Sequence, residues 1–237
     1  MIDDRMIQNE NRIEKPAAKP KAAAFSFARG LNFYKLFWVF FIGCFLGVVV
    51  ETLFYLVTEF RFTNRTGLLY GPFNLVYGFG ALLMTIGLHW LTKQHAVWIF
   101  LGGAVLGGGF EYLCSWVQET LFGTVSWQYR HLPFNLNGRI SLLFCLFWGA
   151  LAILWLRWFY PLLSNFIEKI PNKAGIPLTW VLVVFMLFNI TVSALAVSRQ
   201  SQRHNGIAAS NAVDEYFDEH YPDDYLKRVY PSMQFVN

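Results

Sequence analysis

Two glycines and a glutamate recur at four-residue spacing inside apolar stretches: Gly43, Gly47 and Glu51, then, farther along the chain, Gly103, Gly107 and Glu111. Side chains four residues apart share a helical face, so each triplet sets a carboxylate on a glycine stripe. The glycines by themselves imply only close backbone approach. The acids imply more, because a charge at the centre of an apolar helix costs about 2.5–3.5 kcal/mol on insertion scales. Two readings fit: a structural ion pair that orients neighbouring helices, or a site that takes a solute or a proton. Arg65, Arg130 and Arg139, in the segments that follow, are the cationic partners for either.

Each triplet is followed, at nearly the same interval, by the same tetrapeptide, Pro72-Phe73-Asn74-Leu75 and Pro133-Phe134-Asn135-Leu136. Proline is favoured in a first helical turn, so both tetrapeptides are expected to open helices. Asn74 and Asn135 then either cap those helices or turn an amide toward a ligand, beside free backbone donors that suit an anion. Val57 and Glu59 recur as Val117 and Glu119, and these outer glutamates read as solvated charges at helix ends. The pattern predicts a duplicated helix-loop-helix unit. Because each unit contains two helices, the copies are parallel repeats, with Glu51 and Glu111 at matching depth about 24 Å along their helices.

Apolar residues make up 55% of the chain, charged residues 14% and aromatic residues 19%, a composition that excludes an ordinary soluble domain. Stretches with at most one charge run over 36–58, 66–92, 96–118, 140–156 and 174–198. A span needs about 20 apolar residues, so the fold class is an all-α integral membrane protein with five transmembrane helices, two parallel helix-pair repeats plus a fifth helix. The expected divisions are a disordered basic tail at 1–32, helix pairs at 33–92 and 95–160, an interfacial segment with the fifth helix at 161–198, and a polar tail with a short helix at 199–237. That short helix reads as 211–220, with Asn211 as its cap and Pro222 ending it. The basic tail lacks a signal-peptide pattern. The end bearing the N-terminus carries 11 of the Lys and Arg residues and the other end 8, which predicts a cytoplasmic N-terminus and an external C-terminus.

Other chemistry is thinly represented. His89, His95, His131, His204 and His220 form no metal-ligand spacing, and Cys44, Cys114 and Cys145 fall inside predicted helices, so no cofactor or metal is expected. No Gly-x-x-x-x-Gly-Lys-Ser/Thr phosphate loop occurs in the chain. Lys15, Lys19 and Lys21 suit anionic lipid headgroups rather than nucleic acid. Within 161–177, Leu162, Leu163, Phe166, Ile167 and Ile170 suggest an amphipathic interfacial helix.

The strings Asn64-Arg65-x-Gly67-x-x-Tyr70-Gly71-Pro72-Phe73, Tyr77-Gly78-x-Gly80 and Trp127-x-Tyr129-x-x-Leu132-Pro133-Phe134-Asn135-x-Asn137-Gly138-Arg139 resemble the ABC-transporter type IV permease family of bacterial membrane proteins. The resemblance spans 33–160; Gln128 departs from it, standing where the family often has an acid. It implies a multipass permease-like protein. The acids and arginines themselves point to binding or transport of a small polar or anionic solute, and without a phosphate loop any ATP hydrolysis is expected of a separate subunit. The implied partners are the lipid bilayer and a separate ATPase subunit or a second copy of the chain. Candidate ligand contacts are Glu51, Glu111, Arg65, Arg139, Asn74, Asn135, Tyr70, Tyr77, Trp127 and Tyr129. Two other classes stay open: an embedded enzyme acting on a lipid headgroup, with a glutamate as general base, and a structural or sensory membrane subunit.

Overall fold

The computed structural model describes residues 25–236; most of the expected tail at 1–32 therefore lies outside the described residues. Eight helices and four two-residue strands follow one another: α1 (Phe33–Glu59), α2 (Leu75–Gly87), a 3-10 turn (His89–Leu91), α3 (Ala96–Phe122), β1 (Thr124–Val125), β2 (Asn135–Leu136), β3 (Ile140–Ser141), α4 (Leu142–Leu154), a π turn (Trp155–Phe159), α5 (Tyr160–Glu168), α6 (Asn172–His204), α7 (Ala212–His220), α8 (Asp223–Val229) and β4 (Gln234–Phe235).

Among the described residues, four helical rods are long and apolar enough to cross a membrane: 33–59, 96–122, 142–168 and 172–204. The fold is therefore that of a mostly helical, multipass membrane protein, with side chains such as Val50, Val105, Val184 and Leu187 exposed on its flanks for lipid to cover. The fifth expected span, 66–92, yields only the 13-residue α2. Its first third folds instead as a loop, because Gly71 takes a left-handed φ of 79° and Pro72 follows it. At about 1.5 Å per residue α2 covers roughly 20 Å, short of a hydrocarbon core of about 30 Å.

The third rod also departs from expectation. The sequence reading ends a span at Leu156 and begins an interfacial segment at 161; in the structure the helix continues to Glu168. Pro161 has no N–H to give the carbonyl four residues back, and the chain answers with a π turn in which the Tyr160 N–H reaches the Trp155 carbonyl. Arg157 is satisfied sideways, donating to the Gln94 carbonyl at 2.6 Å. Only Lys169–Pro171 separate this rod from α6.

Packing fixes the direction of each helix. Gly43 lies against Ala81 and Gly47 against Tyr77, so α1 and α2 are antiparallel. Gly87 meets Leu106 and Gly102 meets Leu88, which makes α3 antiparallel to α2 and hence parallel to α1. Trp38 donates to Thr179 Oγ1 at 2.9 Å, while farther along Leu69 N donates to Ser193 Oγ at 2.9 Å. The start of α1 and the C-terminal segment consequently occupy opposite ends of the bundle.

At the α1 start, residues grouped by composition with a disordered tail are packed: Phe27 and Ala28 are buried, and Phe27 N donates to Asn172 Oδ1 at 2.8 Å. Lys35 is wholly buried there, paired with Glu168 at 2.6 Å and bonded to Ser164. At the other end, Asn211 caps α7 by accepting from Val213 N and Asp214 N. Its Phe217, with Tyr221 and Leu226, forms an apolar cluster on Leu69 and Ala196. β4 pairs with β1 (Thr124 opposite Phe235), and Val236 N donates to the Gly123 carbonyl at 2.9 Å. The C-terminal segment is thus a strap over the same end of the bundle that carries both long loops.

Candidate functional site

Glu51 and Glu111 both point from this end of their helices into aromatic pockets that the glycine stripes create. A Cβ on Gly47 would overlap the Tyr77 ring, and one on Gly107 would overlap the Trp148 ring. Each glycine thus admits an aromatic side chain from the neighbouring helix, and the polar tip of that side chain reaches the acid one turn on. Tyr77 OH donates to Glu51 Oε2 at 2.5 Å, and Trp148 Nε1 donates to Glu111 Oε2 at 2.6 Å. A second register of close approach lies one turn below. A Cβ on Gly78 would sit 2.8 Å from the Phe40 carbonyl oxygen, and one on Gly149 would sit 2.8 Å from that of Phe100.

The remaining oxygens are satisfied differently. Glu51 Oε1 accepts from Arg65 Nε at 2.7 Å and from Arg65 Nη2, forming a two-pronged ion pair. The Arg65 guanidinium lies 4.2 Å from the Tyr55 ring centroid and donates through Nη1 to Ser232 Oγ of the C-terminal strap at 2.5 Å. Glu111 Oε1 accepts only from Tyr129 OH, at 2.6 Å. The Glu111 side chain is 7% exposed and has no cation beside it among the described residues.

Of the candidate cations, Arg65 pairs with Glu51, but Arg139 does not reach Glu111, since its Nη2 holds Glu119 Oε2 at 2.7 Å. Glu119 is accordingly an ion-pair partner rather than a solvated terminal charge. The second tetrapeptide explains the displacement, because it does not open a helix. Asn135 and Leu136 form β2, paired with β3, and α4 begins only at Leu142. In this hairpin Asn137 and Gly138 both take left-handed φ values, 55° and 72°. The longer connection carries Arg139 toward the end of α3, where Trp127 Nε1 fixes its carbonyl at 3.1 Å.

The two asparagines work on backbone. Asn74 Oδ1 accepts from Val76 N at 3.0 Å as the α2 cap, and its amide donates to the Arg65 carbonyl at 3.3 Å. Asn135 accepts from Gly138 N at 3.0 Å and donates to the Leu132 carbonyl at 2.8 Å. Tyr70 is drawn away to the strap, its hydroxyl 2.5 Å from that of Tyr221. Of the sequence candidates, Glu51, Arg65 and Tyr77 form one cluster and Glu111 and Tyr129 another, while Arg139 and Trp127 sit apart in the hairpin. Burial first, then Glu111, push the Tyr129 phenol well above its ordinary pKa.

Three participants lie outside the sequence candidates: Trp148, Tyr55 and Ser232. Trp148 leaves a signal, since Trp148-Gly149-x-x-Ala152 repeats the spacing of Tyr77-Gly78-x-x-Ala81. Tyr55 and Ser232 leave none.

Beside the second cluster a cavity of about 490 Å³ opens between the end of α3 and the hairpin, with Ser115, Glu119, Gln128, Arg130 and Arg139 on its walls. No group of three or more His, Cys, Asp or Glu with metal-holding geometry occurs among the described residues. A family model described as "Putative ABC-transporter type IV" matches residues 38–194, which include both carboxylate clusters, the hairpin and most of α6. No curated protein and no solved structure matches the chain.

Proposed function

The chain belongs to the ABC-transporter type IV family, and on that premise we propose that it is a permease-like protein that binds a small polar or anionic solute at the loop end of the bundle and passes it across the membrane. The observation that carries this reading is Glu111. A structural acid in a membrane helix is expected to have a cation, as Glu51 has, because an unpaired buried charge is expensive. Glu111 is held instead by two neutral donors, Tyr129 OH and Trp148 Nε1, each of which a solute hydroxyl, amine or proton can replace.

In this reading α1–α2 and α3–α4 are parallel repeats. The first is the anchored half, locked by Arg65 and the strap, and the second is the half that exchanges partners. The end bearing the start of α1 faces the cytoplasm, by the excess of Lys and Arg there. Since the chain has no phosphate loop, hydrolysis of ATP would belong to a separate subunit docked at that end.

Reconstitution into sealed vesicles tests the proposal, with labelled glutamate, inorganic phosphate and sucrose as anionic and neutral probes. Uptake of at least one probe is expected from the natural chain, and Glu111→Gln should remove it while yield and thermal midpoint stay near normal. Full transport by Glu111→Gln would exclude the assigned role. Turnover of a lipid headgroup in detergent, with no transport in vesicles, would move the protein to the enzyme class.

A further inference from the structure

We propose that the cavity between the end of α3 and the β2–β3 hairpin is a phosphoryl-binding site, separate from the passage at Glu111. Its walls carry two guanidinium groups and one carboxylate, and the carboxylate is already committed, Glu119 Oε2 being 2.7 Å from Arg139 Nη2. That contact uses one nitrogen of Arg139. Its Nε is shielded from solvent and has no acceptor, an expensive state for a charged donor unless a ligand supplies the oxygen. Arg130, also on the cavity wall, forms no ion pair among the described residues, and its hydrogen bond to Asn135 is made by its main-chain carbonyl.

The neutral donors sort in the same direction. The amides of Asn135 and Asn137 are spent on the Leu132 carbonyl and Tyr112 OH. Ser115 and Gln128 line the cavity with the two arginines. The site therefore offers a net positive charge and several donors. A carboxylate saturates a single guanidinium fork. A phosphoryl group brings three acceptor oxygens and a charge of about −1.5 to −2, which suits two separate guanidinium groups better. A soluble phosphate monoester offers all of this, and a phospholipid headgroup, a phosphodiester, offers two free oxygens and one charge, still enough to bridge two guanidinium groups; the cavity lies at the end of a membrane helix, where either can reach it.

The test is isothermal titration calorimetry on the full chain in neutral detergent, with glycerol phosphate, inorganic phosphate, acetate and chloride at matched ionic strength, and in nanodiscs with and without phosphatidylglycerol. Saturable binding of a phosphoryl compound is expected, with acetate and chloride inert. Arg130→Gln should weaken it by at least about tenfold, the loss of one charge-assisted hydrogen bond. Arg130 is exposed and outside every ion pair among the described residues, so this variant should fold normally. Glu111→Gln should leave the binding unchanged, so failure of the transport reading and failure of this one are told apart. Binding of glycerol phosphate or inorganic phosphate assigns a soluble ligand. A heat of binding only with phosphatidylglycerol assigns the lipid. Equal response to acetate, absence of any saturable phosphoryl binding, or an unaltered response in Arg130→Gln would overturn the proposal.

Discussion

Glu51 and Glu111 each lie four residues beyond a glycine that admits an aromatic ring, yet one is paired with an arginine and the other is hydrogen-bonded only by two neutral donors. The arginines are present in both halves. In the first, Arg65 lies in a short loop whose closure is fixed by Gly67 N donating to the Phe73 carbonyl at 2.8 Å, and this returns the guanidinium to the acid. In the second, the hairpin carries Arg139 to Glu119, two helical turns beyond Glu111 and about 12 Å farther along the helix. Loop geometry, not residue inventory, therefore decides which carboxylate is paired with an arginine and which is held by neutral donors.

The largest effect should come from breaking the locked pair. Arg65→Gln leaves Glu51 partly buried without its cation and should cost about 3 kcal/mol, read from unfolding in detergent; Glu51→Gln with Arg65→Gln should recover most of that. Glu111→Gln should cost only about 1 kcal/mol, since one of its two neutral donors keeps an acceptor. Recovery of Glu111→Gln by Arg139→Gln would show that the second half is paired after all, and would collapse the contrast.

Next in size are the glycines. Gly47→Ala and Gly107→Ala each drive a methyl into an aromatic ring near its root and should cost about 2 kcal/mol apiece. Gly109→Ala, with nothing within 4 Å of its added carbon, should be neutral or slightly stabilising. A large effect at one of the first two positions and none at the other would mean that the matched contacts do not bear equal load.

The smallest effect concerns the strap, which reaches the first cluster through Ser232. Hydrogen bonding from Arg199, with Arg203 adding to it, lowers the Asp218 carboxyl to about 2. A depressed folded pKa gives stability that is complete above the unfolded value of about 3.9 and is lost as pH falls through the folded one. Hydrogen exchange in α7 should thus be protected alike at pH 7 and pH 5 and loosen between about pH 4 and pH 2. Asp218→Asn should be loose throughout. Loss of protection already at pH 6 would place the control on another group.

Much of this architecture is legible in residue order. The spacing of Gly43, Gly47 and Glu51 announces the face α1 presents to α2, and the same holds for α3, because a period of 3.6 residues leaves no other arrangement for side chains four apart. Asn211 and Pro222 bracket α7 by cap chemistry that is equally local. The tetrapeptide misleads for the opposite reason: Asn74 and Asn135 have the same neighbours but meet different partners, Val76 N in a helix cap and Gly138 N in a hairpin. The rod through Arg157 is hidden because a charge lowers apolar character whether or not a distant carbonyl, here that of Gln94, receives it.

Sequence alone determined the membrane class, the two acids, the glycines that flank them and an arginine partner for at least one acid, all of which follow from composition, helical period or short reach along the chain. Tertiary structure alone decided that α2 is short, that Trp148 rather than Arg139 attends Glu111, that Lys35 is buried against Glu168, and that Ser232 closes on Arg65. Each of these joins residues on separate elements, and such contacts depend on the path of the loops between them, for which no local spacing rule exists.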